Sequence, residues 1–386
     1  MKPELRIAII GYNFMGKAHS NAWLQAARFF DLDARPVLQV ACGRDAAAVR
    51  AFADRWGWRH VETDWRKVVE RDDVDVVDIS LPQHLHHDVA IAAARAGKHL
   101  FCEKPMALSV AEAEDMLQEA RIAGVKHYLN HNYRRAPAVQ LARKLIDEGR
   151  VGRIFHWRGT YQQDWIVDPK FPLTWQLQRE TAGAGPHIDL NSHSVDLAHF
   201  LVGGIRTVSC LTGNFINERP LAAGAATFSS GGGMKKAEMG KVTVEDAALM
   251  MAEFENGTLG SFEATRFASG RKNRNAFEIY GSEGSLSFNL ERMNELEFYS
   301  RGEPPHAQGF RTILATEACH QYVSNWWPPG HILGYEHTFV HAVRDFVQAV
   351  AHNTAIAPDF SDGLRCIKVL EAGLISATSG KRVAIV

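Results

Sequence analysis

The sequence predicts an α/β part followed by an α+β part: a doubly wound parallel sheet over residues 1–130, then an open antiparallel sheet with helices on one face over residues 131–386. Three observations lead there. Short runs rich in Val, Ile and Leu alternate with helical patterns through the first part. A glycine-punctuated turn joins the first run to the first helix. From Arg153 onward the apolar runs lengthen and pair as hairpins. A chain of 386 residues holds two or three domains at roughly 150 residues each.

The elements follow in order. RIAII (6–10), PVLQVAC (36–42), VDVVDIS (74–80), HLFCE (99–103) and KHYLN (126–130) are apolar on both faces, as strands covered by helices on both sides must be. Between them, Asp45 to Gly57 and Gln83 to Gly97 carry helix punctuation. Ser109 with Glu112 three residues on makes a capping box for a helix that closes at Gly124. An amphipathic helix, Ala138 to Gly149, comes next. MMAEF and TLGSFEATRF turn at Asn256-Gly257, and AFEIY and SLSFNL turn around Gly281 to Gly284. Further helices are expected over Pro186 to Leu201, Tyr335 to Ala351 and Asp362 to Ser376. The Gly-rich stretch Ala222 to Gly240 has no periodicity and reads as a mobile loop.

Composition narrows the function. With 46% hydrophobic and 23% charged residues, the chain has the make-up of a folded globular protein rather than a disordered or fibrous one. A net charge of -1 lacks the basic footprint of a nucleic-acid or anionic-membrane binder, so the expected partner is a small molecule. Five scattered cysteines without a C-x-x-C pair argue against a disulfide framework and a cysteine-zinc site, and fit a reducing cytoplasm. No run approaches the roughly 18 apolar residues of a membrane span, and the apolar run near the N-terminus is too short for a signal-peptide core.

The first run leads into Gly11-Tyr12-Asn13-Phe14-Met15-Gly16 and then a helical pattern, which is G-x-G-x-x-G with Asn13 in place of the middle glycine. Gly11 serves the tight turn, Asn13 is a residue tolerant of left-handed backbone, and Gly16 lets helix and strand pack closely. Phosphate would sit on the helix N-terminus, so a bound dinucleotide is expected. An NAD-selective acid should end the second strand. Gly43 stands there instead, with Arg44 able to pair with a 2′-phosphate, so the strand end favours NADP over NAD. The plainer reading has Asp45 capping the next helix and Arg44 solvated.

HLFCEKP places Glu103, Lys104 and Pro105 at a strand's carboxyl end, where open α/β sheets bind ligands. In the second part, GAGPHIDLNSHSVDLAHFLVGG opens a helix at Pro186 and puts Asp189, His193 and Asp196 on one face. A lysine, a carboxylate and an imidazole are what alcohol oxidation needs, since a base must take the hydroxyl proton as hydride leaves carbon. Two other readings of the helix stay open: a zinc site, which lacks the second histidine of the usual motifs, and a satisfied core histidine.

GYNFMG, GKHLFCEKP, the NYRRAPA segment (Asn132 to Ala138) and D-x-x-x-H together resemble the Gfo/Idh/MocA family of glucose-fructose oxidoreductase and inositol dehydrogenase, over nearly the whole chain. Gly159-Thr160-Tyr161-Gln162-Gln163-Asp164-Trp165 resembles the GTYxQDW segment of its anhydrosugar (levoglucosan) and cyclitol dehydrogenases. The resemblance implies a Rossmann domain for NAD(P) and an oxidation of a secondary hydroxyl of a sugar, anhydrosugar, glycoside or cyclitol. It implies Lys104, Asp189 and His193 as the catalytic set, with His193 the proton acceptor. Tyr133, Gln163 and Trp165 carry over as residues lining the sugar site. Gly11, Asn13, Phe14, Met15, Gly16, Arg44, Pro82, His86, Glu103 and Lys104 are the expected cofactor contacts, and no metal is expected. It further implies a homodimer or homotetramer paired through the second sheet. Departures from the family pattern are Asn13 and His187, where a small or apolar residue is usual.

Two rivals remain at this point: a redox-neutral enzyme that oxidises a sugar transiently to eliminate or cleave a glycosidic bond, and a regulator with a dead site. Two further features have bland readings. Gln83 to His87 looks like a metal tract but opens a helix at the ligand edge of the sheet, which favours cofactor contact or capping. Trp326-Trp327-Pro328-Pro329 is either a sugar-stacking platform or a loop anchored by burial.

Overall fold

The computed structural model describes residues 2–221 and 238–386. Of the Gly-rich stretch expected to be a mobile loop, residues 222–237 lie outside the described residues. In chain order the first elements are β1 (Glu4–Ile10), α1 (Phe14–Phe29), β2 (Arg35–Cys42), α2 (Ala46–Trp56), β3 (His60–Glu62), α3 (Trp65–Val69), β4 (Val76–Ile79), α4 (His86–Arg95), β5 (His99–Cys102), α5 (Val110–Ala123), β6 (His127–Leu129) and α6 (Pro137–Asp147). There follow β7 (Ile154–Gln162), α7 (Arg179–Ala182), α8 (Pro186–Asp189), α9 (Asn191–Leu201), β8 (Ile205–Gly213), β9 (Glu218–Pro220), β10 (Met239–Lys241), β11 (Ala247–Phe254), β12 (Leu259–Thr265), β13 (Arg274–Gly281), β14 (Gly284–Asn289), β15 (Glu295–Ser300) and β16 (Arg311–Leu314). The chain ends with α10 (Tyr335–His352), α11 (Phe360–Ser379) and β17 (Val383–Ala384).

The chain divides into two compact units, Met1–Gln140 with Ala315–Arg365, and Leu141–Leu314 with Cys366–Val386. A single boundary at 130/131 therefore does not describe the contacts: residues 315–365, read from sequence as part of the second domain, pack with the first. The physical reason is α10, whose Phe339, Val340, Val343, Phe346 and Val347 are buried. Phe346 meets Trp23 of α1 and Phe101 of β5 edge to face, contacts that no local pattern announces.

The first unit holds a six-stranded parallel sheet in the order β3-β2-β1-β4-β5-β6. Its strands are buried on both faces, with Ile7, Ala8, Ile9, Val76, Val77 and Ile79 fully out of water. Each large aliphatic side chain so buried contributes roughly 1.5–3 kcal/mol. Half of the expected capping box forms: Ser109 Oγ accepts from the Glu112 amide, while the Glu112 carboxylate reaches one residue further back and accepts the amide of Leu108 instead of that of Ser109. β3 and α3 escaped the sequence reading because three half-exposed residues and a five-residue helix carry no period.

The second unit holds a nine-stranded sheet, ordered β16-β15-β14-β13-β7-β12-β11-β8-β17, and a two-stranded ribbon of β9 and β10. The large sheet departs from the antiparallel expectation at one pair: β7 and β12 run parallel. Strand β7 enters from the helical segment before it, so it joins the sheet at its middle rather than through a hairpin. The inner face carries Ala248, Met250, Val208, Phe262 and Ala264, all buried. The hairpin turns at Gly257 (φ +84°) and between β13 and β14 stand as expected.

Candidate active site

In the first unit the glycine turn has the geometry of a dinucleotide site. Gly11 has φ +110°, and a Cβ there would lie 2.2 Å from the Ser80 carbonyl oxygen, so only glycine fits. A Cβ on Gly16 would fall 2.4 Å from the Gly11 oxygen. Asn13 sits at φ -78°, so its tolerance of left-handed backbone is not used, and its side chain does not cap α1. With no acidic residue in the first turn of α1, its leading amides can meet an anion. Phe14 is 58% exposed and stacks on Tyr335 at 6.3 Å, while Met15 is half-buried. Asp45 spends its carboxylate on the amides of Ala47 and Ala48, Arg44 is exposed, and the space above Gly43 is filled by the Tyr12 ring.

Behind the Glu103-Lys104-Pro105 segment lies a buried polar network. His19, 0% exposed, reaches Asp78 Oδ1 through Nδ1 at 2.7 Å and Glu103 Oε1 through Nε2 at 2.8 Å. Trp23 Nε1 donates to Asp78 Oδ2, Asn130 Nδ2 donates to Glu103 Oε1, and the Lys104 amide donates to Glu103 Oε2. Burial opposes a charge on His19, yet Asp78 and Glu103 outweigh it and raise its pKa to about 10. Burial likewise pushes the Glu103 carboxyl up, but His19, Lys104 and Asn130 hold it below its ordinary value. Glu103, expected as a cofactor contact, thus spends its oxygens on fixing the backbone that carries Lys104, itself half-buried.

His86 is also held inside the unit. Its ring nitrogens lie 2.9 Å from the Leu81 oxygen and 3.0 Å from the Pro105 oxygen, and burial lowers its pKa. It ties the loop at Pro82 to the lysine segment rather than opening toward a ligand. His84 is exposed and His87 meets Asp88, so the histidine tract points three ways. Among the described residues no group of three His, Cys, Asp or Glu side chains could hold a metal. Tyr133 is 4% exposed beside Tyr335, in a turn anchored by Asn132 on Thr338. Trp326 is buried against Phe29 and Phe30, with its N–H on His341, so the anchoring reading of the Trp-Trp segment holds for it.

In the second unit the expected helix Pro186 to Leu201 is broken at Leu190, which puts Asp189 at the end of α8 and His193 in the first turn of α9. Asp189 Oδ2 accepts from Arg266 Nη2 at 2.6 Å; the arginine side chain is 1% exposed. His193 is 5% exposed with its ring 5.7 Å from that of Tyr161. Arg266 also lies 5.2 Å from the Trp165 ring, whose edge-on neighbour is Phe171. Trp165 Nε1 donates to Gln163 Oε1, while Gln163 Nε2 and the Tyr161 hydroxyl both donate to Asn273 Oδ1. These contacts link Tyr161, Gln163 and Trp165 to His193 and, through Arg266, to Asp189. Asp196 is buried one turn further on.

His187, the departure from the family pattern, is fully buried. Its Nε2 donates to the Leu370 oxygen and its ring fills the space a Cβ on Gly373 would need, at 2.5 Å. It is a packing partner of α11. Sequence reasoning missed His19, Asp78, Arg266 and Asn273. The signal for two of them was present: Asp78 is a lone carboxylate inside an apolar strand, and Arg266 is a cation ending one.

Residues 5–131 match the oxidoreductase family with an NAD-binding Rossmann fold, and residues 139–287 match the GFO/IDH/MocA C-terminal domain. The chain is 41% identical over 380 residues to levoglucosan dehydrogenase of Pseudarthrobacter phenanthrenivorans, covering 97% of this chain and 96% of that one. It superimposes with a TM-score of 0.94 on an oxidoreductase domain protein from Kribbella flavida at 50% identity, each chain covered in full. The TM-score is 0.93 against levoglucosan dehydrogenase in complex with NADH and levoglucosan, at 39% identity with 99% of each chain covered. With the glycine turn and a lysine at a strand end in one unit, and the Asp189, His193 pair in the other, the chain belongs to the Gfo/Idh/MocA family of NAD-dependent oxidoreductases.

Proposed function

We propose that this protein is a dehydrogenase that oxidises a secondary hydroxyl of a sugar, anhydrosugar, glycoside or cyclitol, with levoglucosan-like anhydrosugars as the first substrates to test. The observation that carries the reading is His193, in the first turn of α9, beside Tyr161 and close in sequence to Asp189 at the end of α8, which is ion-paired to the buried Arg266. Similarity to levoglucosan dehydrogenase over nearly the full length supports it.

The residues fit a dinucleotide: Gly11 and Gly16 allow the close approach, and the uncapped start of α1 suits its phosphates. Phe14, Met15, Arg44 and Pro82 are the other groups assigned to it. Bound cofactor supplies the hydride acceptor. His193 takes the hydroxyl proton, and the Lys104 ammonium stabilises the oxygen as negative charge builds on it. Asp189, held by Arg266, keeps its carboxylate in one place to orient the substrate. Tyr133, Gln163 and Trp165 line the sugar. The assigned cofactor is NAD(P), with NADP favoured over NAD on the strength of Gly43 and Arg44, since Asp45 is engaged at its helix.

We assign the activity to the cytoplasm, in keeping with five unpaired cysteines. Among the described residues no helix is long and apolar enough to cross a membrane. Pairing with further copies is assigned to the outer face of the large sheet, where Leu211 and Leu249 stand opposite each other and Met251 and Leu259 share the face, all more than half exposed.

The test is a panel of sugars, anhydrosugars and cyclitols with NAD and with NADP, followed by absorbance of the reduced cofactor. Net reduction from substrate alone is expected. Conversion of substrate without net reduction would replace this reading by a redox-neutral one, and no conversion of any polyol would favour a dead site.

A further inference from the structure

A row of alternating contacts leads away from Asp189 into the second unit. Its carboxylate accepts from Arg266, Arg266 lies 5.2 Å from the Trp165 ring, and Trp165 meets Phe171 edge-on at 5.1 Å. The row continues to a second arginine, because the Arg219 guanidinium lies 6.0 Å from the Phe171 ring.

Arg219 stands on β9 with none of its surface exposed. A guanidinium so buried is costly unless its donors are used, and a carboxylate is the usual partner. Among the described residues no carboxylate bonds to it. Its Nη2 donates to the Ile166 oxygen at 2.5 Å, and its Nη1 to the oxygens of Asp168 at 2.9 Å and Phe171 at 3.3 Å. All three acceptors are main-chain carbonyls of the segment that runs on from Trp165.

That segment has little else to give it a fixed path. Residues 163–172 form neither strand nor helix, so their carbonyls have no ladder to bond to. The Gln163 amide on the Thr265 oxygen and the Leu173 amide on the Pro220 oxygen tie its two ends, and Asp164 is tied to Gly270 and Lys272. Ile166 is buried among Leu177, Val242 and Val244, but such contacts are non-directional. A planar fork on three carbonyls sets their spacing.

We propose that Arg219 is a positioning residue for substrate binding: from β9 it clips residues 166–171 and so holds Trp165, and through Arg266 the Asp189 carboxylate, in the arrangement that the sugar meets. The role rests on the dehydrogenase reading above, in which Trp165 and Asp189 face the sugar.

The experiment compares wild type, Arg219→Lys and Arg219→Ala in three measurements: amide hydrogen exchange by peptide, NADH binding by fluorescence, and kcat and KM on the best substrate of the sugar panel. Lysine keeps the charge but replaces the fork by a single ammonium, so both variants should loosen the clip. Exchange over residues 164–173 should rise by roughly tenfold or more, with the peptides of the first unit unchanged. KM should rise by roughly tenfold or more, with kcat changed by less than about threefold and NADH binding retained. Millimolar guanidinium chloride, which can re-enter the carbonyl cage left by Arg219→Ala, should recover part of the loss in KM, and ammonium chloride should not. Exchange over 164–173 that stays at the wild-type rate, or a KM within about twofold of wild type, overturns the proposal. Faster exchange throughout the chain without guanidinium recovery overturns it too, since Arg219 would then be a general core residue. A wild type inert on the whole panel overturns the proposed function and the substrate role of Arg219 with it, while exchange over 164–173 still decides whether the clip exists.

Discussion

Replacing His19 by glutamine tests the buried network that holds the lysine segment. Glutamine keeps a side chain able to bond within the site but removes the positive charge that lies between Asp78 and Glu103, at 2.7 and 2.8 Å. A rise in the His19 pKa from 6.5 to about 10 corresponds to roughly 5 kcal/mol of tighter proton binding in the folded state. Because the folded pKa is raised, this stabilisation is fully present below pH 6.5 and is lost as pH climbs toward 10. Between those limits the folded state carries the extra proton, and wild-type stability should fall by about 1.4 kcal/mol per pH unit from this group. His19→Gln leaves two buried carboxylates without their cation, so a loss of about 3–5 kcal/mol is expected at pH 6, moderated if one carboxyl takes up a proton. The assay is urea unfolding of both proteins at pH 6, 7.5 and 9 (roughly the window that the shift defines), followed by tryptophan fluorescence. The gap between the curves should narrow steadily as pH rises. A gap that is constant across that range, or one that widens, would show that His19 is not a stabilising cation, and the argument about Lys104 positioning would go with it.

Other outcomes follow from the same geometry. Lys104→Met should cost at least roughly 2 kcal/mol of transition-state stabilisation, read as kcat/KM on the best substrate, with cofactor affinity changed much less. His193→Ala should lower kcat by roughly 10²-fold or more while NADH still binds by fluorescence titration; unchanged kcat removes it from the mechanism. Gly43→Asp should lower NADP use relative to NAD by repelling a 2′-phosphate, but its Cβ would fall 2.1 Å from the Tyr12 ring, so the shift should be cleanest in a Tyr12→Ala background. Strict NAD use by wild type would dismiss the Arg44 argument. Gly373→Ala brings a methyl within 2.5 Å of His187 Nε2 and should destabilise by about 1–3 kcal/mol in thermal unfolding, with His187→Ala recovering part of the loss.

The sequence by itself determined the elements whose signals are local. Runs buried on both faces marked the central parallel strands, because a strand covered by helices has no polar face to show. Gly11 and Gly16 marked the dinucleotide turn, because a Cβ cannot occupy either place. Asp45 and Ser109 marked helix starts, because a cap is satisfied within a few residues. The EKP lysine and the D-x-x-x-H pair were legible as chemistry-bearing residues for the same reason: their types and spacing lie within one short segment.

What needed the tertiary structure was every partnership across long sequence separation. His19, Asp78 and Glu103 lie on α1, at the heart of β4 and just past β5, and only the strand order brings them to hydrogen-bond distance. Arg266 reaches Asp189 from 77 residues away, and Asn273 meets Gln163 from 110. The parallel pairing of β7 with β12 and the assignment of residues 315–365 to the first unit are likewise products of packing. A charge or an amide in a sequence says what it can bond. Which bond it makes is decided by burial, since a buried polar group must find its partner wherever in the chain the fold has placed one.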